Sequence, residues 1–166
     1  MHQKYPLAAL ITVAIPAIVL SLILWDRKSE TQFDQKASLS EITASDQVKG
    51  NQESKIELIE YSDFQCPACG AYYPYLKQIT KEFSEQIRFV YRHFPLKQHK
   101  NAELAGRAAE AAGKQNKFWE MHDLLFENQN SWATSSKAEN IFISLAQQLD
   151  LDIEKFGMIR ETWLKA

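Results

Sequence analysis

Hydrophobic and polar residues alternate on different scales along the chain. From Pro6 to Trp25 about 20 residues pass without a formal charge, mostly Ile, Leu, Val and Ala, the length a helix needs to cross a bilayer's hydrocarbon core. The segment is expected to be a transmembrane anchor. A cleaved signal peptide is the competing reading, but the run exceeds an ordinary signal core and no small-x-small site follows it before Asp26. Pro16 is tolerated in a membrane helix. Lys4 on one side and Arg27, Lys28 and Lys36 on the other leave the orientation unset by charge. From residue 27 to residue 50 the sequence is polar and aperiodic, as a solvated linker is. The chain thus divides into a tip and anchor over 1–26, a linker over 27–50 and a folded domain over 51–166.

Within the domain the period changes twice. Ile56-Glu57-Leu58-Ile59-Glu60-Tyr61 follows the turn-prone Gly50-Asn51 and predicts a strand. Tyr72, Tyr73, Leu76, Ile79, Thr80 and Phe83 recur at helical spacing and predict a helix from Pro67 to about Ser84. Ile87 to Phe94 then alternates apolar with polar until Pro95 stops it, the pattern of a second strand. A strand, a helix and a strand in this order favour parallel pairing. An additional short strand is expected near Gln47 to Lys49. Beyond Leu96 the pattern is helical: Asn101 to Lys114, Lys117 to Glu127 and Ala138 to Leu149, then a last short helix that Asp150 or Asp152 caps. The expected class is α/β, a βαβ unit followed by a helical lobe.

Composition narrows the chemistry. A chain of 166 residues, 45% of them hydrophobic, holds one globular domain and an appendage. Nineteen Lys and Arg against twenty-one Asp and Glu give a net charge of −2, which supplies no basic field for nucleic acid. The two cysteines, Cys66 and Cys69, are too few for a multi-bridge scaffold or a cysteine-only zinc site. His2, His93, His99 and His122 lack the paired spacing of zinc modules. No cofactor is expected beyond the cysteine pair itself.

Asp63-Phe64-Gln65-Cys66-Pro67-Ala68-Cys69 lies where the first strand turns into its helix. Pro67 suits the first helical position, where its missing N–H costs nothing, so Cys66 should cap the helix and Cys69 sit within its first turn. The unpaired N–H groups and dipole at that terminus favour a thiolate on Cys66. Cys69 is then near enough to resolve a mixed disulfide formed at Cys66. An inert buried pair would fall anywhere in the core, whereas this junction is the context of a redox Cys-x-x-Cys.

Glu60, six residues before Cys66 on the leading strand, is expected to sit beneath the dithiol and exchange protons with Cys69; the alternative is a solvated strand glutamate, as Glu57 is expected to be. His93 reads as a polar end-of-strand residue rather than a substrate contact. Tyr72, Tyr73 and Tyr75 should pack or line a surface, and Phe118 and Trp119 should lie in the core of the helical lobe.

Three further segments, Arg88 to Leu96, Ala108 to Ala112 and Lys117 to His122, together with Ile56 to Cys69, resemble the membrane-anchored bacterial DsbA-like thiol-disulfide oxidoreductases. The likeness runs from about Asp46 to about Phe156. It implies a thioredoxin-like fold with an inserted helical lobe, a cytoplasmic N-terminal tip, and a domain on the periplasmic or extracellular side of the cell membrane. Reduced or misoxidised secreted proteins are the implied substrates, and a quinone-linked or VKOR-like oxidase the implied membrane partner. Cys66 would be the attacking cysteine, Cys69 its resolving partner, Pro67 and Ala68 the intervening motif, and Glu60 the buried acid. Such proteins continue into a cis-proline loop, two strands and a final helix, whereas no proline follows Pro95 here. The resemblance thus implies missing C-terminal strands and helix, through a fragment, a frameshift or a genuine shortening. The alternative to an active oxidoreductase is a non-catalytic, poorly folded remnant of one.

Overall fold

The computed structural model describes residues 41–43 and 45–162. The expected anchor at Pro6 to Trp25 lies outside the described residues; among those described, no helix is long and apolar enough to cross a membrane.

Among the described residues three strands form a sheet: β1 (Gln47–Gly50), β2 (Glu57–Ser62) and β3 (Arg88–His93), in the order β1-β3-β2. β2 runs parallel to β3, with Leu58 opposite Phe89, Glu60 opposite Tyr91 and Ser62 opposite His93. The crossover between them is α1 (Pro67–Glu82), so the predicted βαβ unit forms as read. The short strand anticipated near Gln47 pairs antiparallel with β3. The sheet therefore takes in residues that the expected linker over 27–50 included. β1 ends at Gly50, which has φ +86, and a Cβ there would lie 2.5 Å from the Ile87 carbonyl oxygen. Only glycine satisfies both constraints without strain.

Because side chains alternate across a strand, Phe89, Tyr91 and His93 share one face of β3 with Leu58, Glu60 and Ser62 of β2. That face meets the helical lobe. Tyr91 lies 5.9 Å from the Phe118 ring and Phe89 5.6 Å from Trp119, while His93 Nε2 is 2.9 Å from Glu110 Oε1. The lobe comprises α2 (Ala102–Gly113), α3 (Phe118–Glu127), α4 (Gln129–Trp132), α5 (Ala138–Gln148) and α6 (Ile153–Thr162). Alanines at 102, 105, 108, 109, 111 and 112 of α2 are all buried, and small side chains let neighbouring helices approach closely. Fully buried Phe142, Phe156, Met121 and Leu125 fill the rest of this core, each contributing about 1.5–3 kcal/mol of apolar transfer. Asp152 caps α6 as expected, its Oδ1 accepting the Lys155 N–H at 3.0 Å.

Candidate active site

Cys66 has extended backbone angles (φ −69, ψ 123) and is the N-cap of α1, with Pro67 opening the helix. Its carbonyl accepts the Gly70 N–H at 3.0 Å, and its own N–H donates to the Asp63 carbonyl at 3.0 Å. One turn places Cys69 beside it; both are half-buried, unbonded thiols. Pro67 and Ala68 are exposed at the tip. The sequence-derived arrangement of all four residues is what the structure contains.

Asp63 organises the approach to this turn. It is 3% exposed, and its Oδ1 accepts the Gln65 N–H at 2.7 Å. Oδ2 accepts the Leu96 N–H at 2.9 Å and lies 2.6 Å from His99 Nδ1. The segment following β3 is thereby fastened to the segment preceding the cysteines. Gln65 adds a second tie: its side-chain amide donates to the Ala133 carbonyl and accepts the Asn101 N–H, both at 2.7 Å. Asn101 in turn donates to the Trp132 and Ser135 carbonyls, each at 3.0 Å. A third comes from Gln129, whose Nε2 donates to the Phe64 carbonyl at 2.7 Å and the Cys66 carbonyl at 2.9 Å. Gln129 reaches these atoms by crossing Gly70, where a Cβ would sit 2.5 Å from its Oε1. The helical lobe thus holds the cysteine turn through long-range bonds that the sequence reading missed. Asp63 and Gln65 were inside the motif; Gln129, Asn101 and His99 carried no local signal.

The strand that leads into the turn carries a partly buried polar group. Glu60 is half-buried on β2, and burial pushes its carboxyl up from the usual range, against the Ser62 hydroxyl and the Lys49 ammonium that face it. Lys49 of β1 is pushed down by burial despite Asp123 and Glu60 nearby, and its Nζ stands 4.4 Å from the Trp119 ring centre and 5.1 Å from that of Phe89. Burial also pushes the Cys69 thiol up, opposed by Ser62 and the Asp63 backbone. Glu60 is thus a half-buried carboxyl on β2, and Glu57 is exposed and paired with Arg88. His93 is a structural partner of Glu110. Among the described residues no cluster of three His, Cys, Asp or Glu side chains is arranged to hold a metal ion.

The family profile described as Thioredoxin matches residues 43–163. The chain belongs to the thioredoxin family. Among solved structures, this thioredoxin-family chain resembles a thioredoxin-like oxidoreductase from Silicibacter pomeroyi with a TM-score of 0.60 and 28% identity, over 72% of this chain and 65% of that one. It resembles alpha-DsbA1 of Wolbachia pipientis with a TM-score of 0.63 at 20% identity, over 74% and 63% of the two chains. The oxidised BdbD of Bacillus subtilis matches with a TM-score of 0.58 at 24% identity, over 69% and 63%. At these identities the last two likenesses are of fold: a thioredoxin-like βαβ unit with a helical insertion, as the resemblance implied. In sequence, the Na(+)/H(+) antiporter NhaA 1 of Salinispora arenicola is 41% identical over 112 residues, which is 67% of this chain and 16% of that protein. NhaA 3 of Salinispora tropica is 38% identical over the same shares. The chain thus spans about a sixth of the length of these curated relatives.

Proposed function

We propose that the chain is a thiol-disulfide oxidoreductase working through Cys66-Pro67-Ala68-Cys69. The observation that carries this reading is a pair of unbonded thiols at the N-terminus of one helix, in a chain of the thioredoxin family. Cys66 caps the helix, where N–H groups stabilise a thiolate and make the residue both nucleophile and leaving group. Cys69 completes exchange by attacking the Cys66 sulfur of a mixed disulfide. Reduced or misoxidised secreted proteins are the proposed substrates, met outside the cytoplasm by a domain anchored through Pro6 to Trp25. A membrane oxidase of the quinone-linked or VKOR-like kind is the proposed source of oxidising equivalents. The test is oxidation of a reduced, denatured model substrate by the full chain, with glutathione disulfide supplied as the terminal oxidant that recharges Cys66. Cys66→Ser is expected to abolish turnover, and Cys69→Ser to trap the substrate as a mixed disulfide; equal rates in all three proteins contradict the reading.

A second reading, a domain that keeps the cysteine turn without turning over substrate, draws on exposed apolar surface. Tyr72 and Tyr75 of α1 are 68% and 66% exposed, and Ile56, Tyr61 and Phe94 are all more than half exposed. Under that reading the purified chain binds a hydrophobic dye and lacks a cooperative unfolding transition.

A further inference from the structure

We propose that the Ser62 hydroxyl relays the proton between Cys69 and Glu60, making Ser62 a positioning residue of the exchange reaction; this rests on the oxidoreductase reading above. Ser62 is 2% exposed, and its Oγ is buried without an aligned hydrogen-bond partner. An orphaned buried hydroxyl costs about 1–3 kcal/mol, so a free one at this position calls for a reason. It lies on the lobe-facing side of β2 with Glu60, two residues away on the same face. Its hydroxyl favours the ionised forms of Glu60, Cys69 and Tyr91 alike, so all three groups lie within its reach. A hydroxyl accepts one proton while donating another, which neither an apolar residue nor a carbonyl does.

The other groups around this path are few. Lys49 of β1 faces Glu60 and is itself faced by Asp123 of α3. Tyr91 of β3 faces Glu60 and Cys69 and stays protonated, its burial pushing the phenol well up; its hydroxyl donates to the Ser62 carbonyl at 3.4 Å. Cys66 and the Asp63 backbone complete the surroundings of Cys69. Ser62 is the one hydroxyl of this group that faces donor and acceptor alike with no aligned bond of its own.

The resolving step balances as follows. With Cys66 joined to a substrate sulfur, the Cys69 thiol gives its proton to Ser62 Oγ as the Ser62 hydroxyl gives its own to a Glu60 carboxylate oxygen. Cys69 Sγ attacks Cys66 Sγ; the Cys66–Cys69 disulfide forms, the Cys66–substrate bond breaks, and the substrate sulfur leaves with the electron pair as a thiolate. In the oxidising direction a substrate thiolate attacks Cys66, Cys69 leaves as a thiolate, and the same path returns a proton from Glu60 through Ser62.

The test mixes the reduced full chain with glutathione disulfide and follows, by acid quench and mass, the Cys66–glutathione adduct and its resolution across neutral pH. Wild type is expected to pass through the adduct without accumulating it. Ser62→Ala should slow resolution about tenfold and let the adduct accumulate, with a shifted pH profile, while Ser62→Thr, which keeps the hydroxyl, restores the wild-type rate to within about twofold. An alanine variant matching wild type at every pH overturns the relay. So does a threonine variant as slow as alanine, because packing rather than the hydroxyl is then the cause. If wild type forms no adduct and no disulfide at all, the oxidoreductase reading falls and the relay with it.

Discussion

Gln129 and Gly70 define how the cysteine turn is held at the level of single residues. Replacing Gln129 by Ala removes its hydrogen bonds to the Phe64 and Cys66 carbonyls, the latter keeping only the Gly70 N–H, and a lost partner of a buried group costs about 1–3 kcal/mol. Gln129→Ala is therefore expected to lower unfolding stability by that order in a urea titration and to raise the reactivity of Cys66 toward an alkylating reagent. Gly70→Ala should do much the same by displacing the Gln129 side chain from where its Cβ would stand; a fully wild-type melt for both variants contradicts the tie. Cys66, Pro67, Ala68 and Cys69 were legible because capping is a local property of sequence. The place of Glu60 on β2 was legible from the strand pattern. Gln129, Asn101 and His99 were not, since their partners lie 36 to 65 residues away and only the folded lobe brings them near.

Among elements, the join between α1 and α3 is electrostatic and sensitive to acid. Lys77 of α1 is 2.8 Å from Asp123 and 2.8 Å from Glu127 of α3. Burial alone would raise the Asp123 carboxyl, but hydrogen bonds from His122 and Lys77 win and hold it at about 2, below its ordinary 3.8. His122, ringed by Phe64, Tyr91, Trp119 and Phe126, is pushed below its ordinary 6.5 by burial and stays neutral in the fold. The unfolded chain binds a proton at this histidine below pH 6.5 while the folded one resists it, so stability falls as pH drops through that value. The depressed Asp123 contributes stability that is full above 3.8 and lost as pH falls toward about 2. This second step is expected to be on the order of 1–2 kcal/mol after allowance for partial exposure. Thermal melts from pH 7 downward should show both declines, and Asp123→Asn should flatten the second; a stability curve without either contradicts the packing. The strands and long helices were readable from period. The four-residue α4 was not, because a single turn carries no period, although its Trp132 is fully buried and donates from Nε1 to the Leu125 carbonyl at 2.9 Å.

At the scale of the whole molecule, a short sheet and a large helical lobe meet at the cysteine turn. Asp63, Gln65 and Gln129 bind that turn to the loop after β3 and to the α4 region, so the lobe acts as scaffold for the site. β2 pairs only with β3 among the described strands, and the exposed Ile56, Tyr61 and Phe94 lie on or beside it. How firmly the lobe alone holds the cysteines was not legible in the sequence, because the bonds that do so join residues far apart in the chain. The direction of exchange belongs to this scale too, because the stability of the reduced and oxidised domains sets the potential. Potentials of about −270 mV mark a reductant and about −120 mV a strong oxidant. The most direct measurement is an equilibrium titration of the full chain in glutathione buffers, with free thiols alkylated and counted by mass. The account expects a single two-electron transition that joins Cys66 to Cys69, disappears in Cys66→Ser, and falls nearer the oxidant's potential. A chain that stays fully reduced, or gains glutathione without ever forming the internal disulfide, contradicts it.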